Sequence, residues 1–212
     1  MKKLFTFTCL FLLVLIGGNA NATFYTDESS FNAAHSGLTT IDFEGIAAVG
    51  SATDPVSSLA LGGVTFSGTN LRVADKDFVS GTVYGQPSDM LFSNYYGAQL
   101  VMTFSPNAGA IGFRIAPGQL ASNITVSLYD GLNNLLDTQV FVANNMSIFD
   151  TFVGWDNLGD VDNLYITIGG NPNFINIDDV RYQSASVPEP ATMLLLGLGL
   201  IGVEGVRRKI RK

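Results

Sequence analysis

Ile124-Thr125-Val126-Ser127-Leu128-Tyr129 and Leu164-Tyr165-Ile166-Thr167-Ile168 decide how this chain folds. In both stretches apolar and polar side chains alternate, so one face enters a core while the other meets water. The same period of two runs through Val64-Thr65-Phe66-Ser67, Leu100-Val101-Met102-Thr103-Phe104 and Ile111-Gly112-Phe113-Arg114-Ile115. Turn-forming residues stand between these runs: Gly62-Gly63, Ser105-Pro106-Asn107, Pro117-Gly118, Asp130-Gly131 and Gly169-Gly170-Asn171-Pro172. Residues 39–43, 71–74, 136–142, 147–153 and 174–182 bring the total to about ten strands. One short helix is expected over residues 29–34, capped by Asp27 or Ser29. The pattern predicts an all-β fold, an antiparallel two-sheet β-sandwich of jelly-roll type.

Outside that core, the two ends of the chain read as processing segments. Residues 1–22 have the form of a secretory signal peptide. Lys2 and Lys3 precede an apolar run over 4–16, Gly17-Gly18 breaks it, and Ala20-Asn21-Ala22 supplies the small residues of a cleavage site. Thirteen residues fall short of the roughly 20 that a membrane span needs. Cys9, the one cysteine of the 212 residues, lies in this leader, so the exported domain has no thiol chemistry and no disulfide. Residues 23–186 then form one domain, long enough to sustain its own core. The whole chain carries −7, but Arg72, Lys76, Arg114 and Arg181 face 16 acidic residues within 23–186, which leaves that domain at −12. Such a surface repels a phosphate backbone, which excludes nucleic acid as a partner.

The other end runs Val187-Pro188-Glu189-Pro190, an apolar stretch over about 191–206 broken only by Glu204, and Arg207-Arg208-Lys209-Ile210-Arg211-Lys212. Pro188 and Pro190 favour an extended backbone. The apolar stretch suits a membrane helix, and Arg207, Arg208, Lys209, Arg211 and Lys212 form a basic stop on its cytoplasmic side. Gly197-Leu198-Gly199-Leu200-Ile201-Gly202 matches the dinucleotide fingerprint in letters alone, because no strand precedes it. Residues 187–212 resemble the PEP-CTERM sorting tails, substrates of exosortase in Gram-negative bacteria that make exopolysaccharide. The resemblance implies that Pro188, Glu189 and Pro190 are the motif read by exosortase, and that the tail helix holds the protein in the cytoplasmic membrane before processing. It implies delivery to the cell surface or the extracellular exopolysaccharide matrix.

Thr40-Ile41-Asp42-Phe43-Glu44-Gly45 and Ile177-Asp178-Asp179-Val180 are similar to the first and last strands of jelly-roll modules related to carbohydrate-binding and galactose-binding-like domains. That resemblance implies a structural calcium on Glu44 and Asp179, with Asp178 or Asp42 next; no other cofactor is implied. Calcium takes six to eight oxygens, so backbone carbonyls and water would complete its shell.

No catalytic constellation stands out. His35 is the only histidine, which rules out a zinc site built from histidines, and no nucleophile motif accompanies it. The reading is therefore a non-catalytic structural or adhesive surface protein. The alternative is a carbohydrate-binding module in which exposed aromatic rings stack on pyranose faces, with Tyr95 and Tyr96 as the first candidates beside Tyr84 and Trp155. A polysaccharide hydrolase comes third. Phe149, Thr151, Val153 and Trp155 fall on one strand face, which assigns Trp155 to the core.

Overall fold

A computed structural model describes residues 22–78, 88–93, 99–118, 121–144, 149–169 and 174–185. Its elements are β1 Thr23–Tyr25, α1 Glu28–Ala34, β2 Thr39–Ile41, β3 Val56–Leu61, β4 Val64–Ala74, β5 Met90–Ser93, β6 Leu100–Pro117, β7 Ser122–Asp130, β8 Leu135–Ala143, β9 Phe152–Asp156, β10 Val161–Ile168 and β11 Ile175–Ser184. The fold is mostly β with one short helix, and every strand pair is antiparallel.

Two layers share the strands. One runs β3–β4–β6–β10–β7–β8; the other joins β1, β9, the second half of β6 and β11, with β2 and β5 along the far side of β11. The layers are not separate sheets as expected. β6 pairs with β4 and β10 over residues 100–104, then with β9 and β11 over 111–117. β4 likewise pairs with β6 over 64–67 and with β5 over 71–74. These two long strands knit a sandwich-like fold into one network of 11 strands.

That topology corrects two expectations. Ser105-Pro106-Asn107 is not a turn but lies inside β6, where its partners change. Pro106 has no N–H to give a ladder, and the register with β10 jumps from Thr103↔Asn163 to Ala108↔Val161 around it. Residues 71–74 are not a strand of their own. They continue β4 through Asn70, whose φ of 52° marks the bend.

Alternation places the core as expected. Val126, Leu128, Leu164, Ile166, Met102, Phe104 and Phe113 are fully buried between the layers. Each such side chain contributes about 1.5–3 kcal/mol through area removed from water. Trp155 is buried among them and donates its Nε1–H to Asp137 Oδ2 at 3.0 Å, which removes it as an exposed ring.

The outer face of the second half of β6 was expected to be wet, and α1 covers it instead. Asp27 caps the helix, accepting from Ser30 N at 2.7 Å. Phe31 then seats on Gly112 and Gly154, which are cross-strand partners. A Cβ at Gly112 would stand 2.9 Å from the Phe31 ring and one at Gly154 2.8 Å, so the socket requires both glycines. Glu28, in the first turn, pairs with Arg114 and Arg181. Asp179 closes the ring at 3.3 Å to Arg114 and 3.4 Å to Arg181, tying the helix to β6 and β11.

Candidate functional site

The outward positions of β7 and β10 are aligned by register. Tyr165 faces Ser127, Asn163 faces Tyr129 and Thr167 faces Thr125. Because the inward residues Val126, Leu128, Leu164 and Ile166 are fixed in the core, Tyr129, Tyr165, Ser127 and Thr167 must point to the same outer surface. With Gln99, where the chain enters β6, and Asn133, in the β7–β8 turn, they line an open groove of about 310 Å³.

The groove has an aromatic centre and a polar rim. Tyr129 and Tyr165, both half-buried, meet edge to face, with centroids 5.2 Å apart and planes at 86°. Ser127 Oγ is 2.9 Å from Thr138 Oγ1 on β8, and Thr103 Oγ1 donates to Asn163 Oδ1 at 2.8 Å, so hydrogen bonds fix the flanks. Gln99 and Asn133 bring amides that both donate and accept. Hydroxyls, amides and two phenolic rings suit a neutral polyhydroxylated ligand. Among the described residues that line the groove there is no carboxylate.

A second polar cluster joins the loop residues Glu44–Gly45, Gly50, Asp75–Asp77 and Ser88–Asp89 to Asp178 in β11. Asp75 accepts from Gly50 N and Asp77 N at 2.7 and 2.9 Å, and Asp89 from Lys76 N and Gly45 N at 2.9 and 3.1 Å. Glu44 Oε1 accepts from Asp89 N at 3.2 Å. Asp178, only 1% exposed, accepts from Ser88 Oγ and from Asp179 N. Burial pushes its carboxyl up to about 7; the hydrogen bonds from Ser88 and Asp179 pull the other way, while the charges of Asp179 and Glu44 add to the rise.

The residues of the calcium expectation lie in and beside this cluster. A bulge in β11 between Asp178 and Arg181, with Asp179 at φ 50°, turns the two neighbouring acids to different surroundings. Asp179 goes to Arg114 and Arg181 and is neutralised there. Asp178 goes toward Glu44 and Ser88. Of the two expected ligands, Asp179 is held by the arginines, while Glu44 accepts from Asp89 N. Asp42 is engaged locally, accepting from Glu44 N at 3.2 Å. Among the described residues no three His, Cys, Asp or Glu side chains gather as a metal centre.

His35 packs against Phe31 and lies 3.3 Å from Asp156, which also accepts from Tyr25 OH at 2.8 Å. It joins β1, α1 and β9 rather than a cleft. Tyr84, Tyr95 and Tyr96 lie outside the described residues, as do the leader up to Asn21 and the tail with Pro188, Glu189, Pro190 and the basic stop. Among the described residues no helix is long and apolar enough to cross a membrane. Tyr129 and Tyr165 were missed as ring candidates, although their outward phase was legible in the alternation of their strands.

The tail identifies the class: this is a protein carrying a sorting signal behind a β-sandwich-like domain. Residues 186–212 match the PEP-CTERM protein-sorting motif. That motif implies export, processing by exosortase and sorting to the cell envelope. No curated protein matches the chain in sequence. Among solved structures it is similar to a DUF4465 family protein from Bacteroides caccae, at 9% identity over 77% of this chain and 93% of the other, with a TM-score of 0.43. The K1 cleaved adhesin domain of Lys-gingipain from Porphyromonas gingivalis is 13% identical over 71% of this chain and all of that domain, TM-score 0.40. CsCBM6-3 from Clostridium stercorarium, solved with cellobiose, is 20% identical over 64% of this chain and 94% of that one, TM-score 0.31. What those proteins bind is a property of those proteins.

Proposed function

We propose that this chain is an exosortase-sorted surface protein whose domain binds a neutral glycan in the Tyr129–Tyr165 groove, with a non-catalytic, adhesive role in the exopolysaccharide matrix. The observation that supports it is the groove itself: two tyrosines 5.2 Å apart in a rim of hydroxyls and amides, on the outer face of a rigid pair of strands. Strands hold such rings in place with little ordering cost on binding. The leader exports the chain, the tail helix holds it in the cytoplasmic membrane of a Gram-negative cell, and removal of the tail releases it to the surface.

The test is binding on an array of neutral oligosaccharides. Wild type binds at least one class, and Tyr165→Ala weakens that binding tenfold or more, about 1.4 kcal/mol. Tyr129→Ala behaves alike. Undiminished binding in both variants would move the site elsewhere; Tyr95→Ala with Tyr96→Ala then examines the turn first expected to carry it.

A further inference from the structure

β8 is the outermost strand of its layer. Among the described residues it pairs with β7 alone, from Ser122↔Ala143 to Tyr129↔Leu135. Among the described residues its other edge thus presents an unpaired row of backbone N–H and C=O groups to an incoming strand. Edge strands are usually kept short, or guarded by Lys or Pro. β8 is nine residues long, and Thr138-Gln139-Val140-Phe141-Val142-Ala143 has no charge, no Pro and no Gly. The strand's one carboxylate, Asp137, is engaged by Trp155 Nε1 at 3.0 Å and Gln139 Nε2 at 3.1 Å. On the outer face, Val140 and Val142 are 66% and 65% exposed. An unguarded, apolar edge is notable on a domain of charge −12, where acids elsewhere hold copies apart.

Only another extended strand can satisfy such a row of backbone groups, and a second copy brings the same uncharged edge. We propose that β8 is a self-association edge, pairing with β8 of a second copy, antiparallel about Val140. In that register Val140 lies opposite itself and Thr138 opposite Val142, so the exposed valines of both copies form one cross-strand row. Each Asp137 falls opposite Ala143, at opposite ends of the pair, and no like charges meet within it. The contact is isologous and closes as a dimer. It joins the two outer layers into one sheet. Since Ser127 of the groove bonds to Thr138 of β8, both grooves then open on the same face. The pairing stands without the glycan reading; if that reading holds, it makes the dimer bivalent.

Cross-linking in the secreted full chain tests it. In a Cys9→Ser background, Val140→Cys sets two thiols opposite each other, with Cα atoms about 4.5–5.5 Å apart. That separation lies within the disulfide range of about 4.4–6.8 Å. Mild oxidation is expected to give a disulfide-linked dimer on a non-reducing gel. Leu132→Cys, equally open at 83% exposure in the β7–β8 turn, is expected to stay monomeric. Adding Val142→Lys to the Val140→Cys chain should abolish the dimer by placing a charge on each side of the pair. All these positions are exposed, so folding is preserved, and circular dichroism checks it. Cross-linking of Val140→Cys no greater than that of Leu132→Cys, or unchanged by Val142→Lys, overturns the proposal.

Discussion

Replacing Asp178 by Asn should make the protein more stable at neutral pH and flatten its response to pH. Asp178 is 1% exposed, and burial raises its pKa from 3.8 to about 7. A buried acid with a raised pKa keeps its proton after the unfolded chain has released it. Between about pH 4 and 7 the folded state thus binds more protons, and stability falls as pH rises through that window. Three pH units at 1.36 kcal/mol each set a ceiling of about 4 kcal/mol. Asn removes the ionisation and keeps the shape. Its carbonyl oxygen can accept one of the two hydrogen bonds from Asp179 N and Ser88, and its amide can donate to the Ser88 hydroxyl. Asp27, Asp75 and Asp130 act in the opposite sense. Hydrogen bonds from Ser30, Gly50 and Asn134 respectively lower their pKa values, so the stability they contribute is lost only as pH falls below the ordinary carboxylate range. Denaturant unfolding of chelator-treated protein from pH 4.5 to 8.5 separates the two effects. Wild type should lose up to about 3 kcal/mol across this range relative to Asp178→Asn, since about 2.5 of those pH units lie within it. Parallel curves for the two proteins would refute the assignment of a buried, protonatable carboxyl at Asp178.

Three further outcomes follow from other parts of the molecule. Gly154→Ala should destabilise by about 1–3 kcal/mol, read by the same unfolding assay, because its Cβ would press on the fully buried Phe31 ring. Asp179→Asn should leave any calcium response of the melting temperature as in wild type, since Arg114 and Arg181 already hold that carboxylate; a response lost in the variant would restore Asp179 as a ligand. Deleting residues 188–190 should keep the protein at full tail length in the cytoplasmic membrane, as read by fractionation and intact mass. Normal processing of that deletion would remove the sorting reading of the tail.

Much of the fold could be read from periodicity. Val126, Leu128, Leu164 and Ile166 are buried as their alternation required, and Asp27 caps α1 as its side chain suggested. What periodicity could not carry was partnership. Ser105-Pro106-Asn107 has the chemistry of a turn, yet neighbours on both sides keep the strand running through it. Gly112 looked like a neutral outward position, while its missing side chain is what admits Phe31. The groove was half legible: the outward phase of Tyr129 and Tyr165 was plain, but only the register between β7 and β10 brings the rings together. Asp178 and Asp179 show the same limit, because one bulge decides which acid meets arginine and which is buried.

The most direct test of the central claim is to follow the ring resonances of the chain's seven tyrosines while a bound oligosaccharide is titrated in. The account predicts that the signals of Tyr129 and Tyr165 shift together, saturate at one dissociation constant, and lose that response when Tyr165 is replaced by Ala. Saturating shifts confined to other tyrosines, with Tyr129 and Tyr165 unmoved, would contradict it.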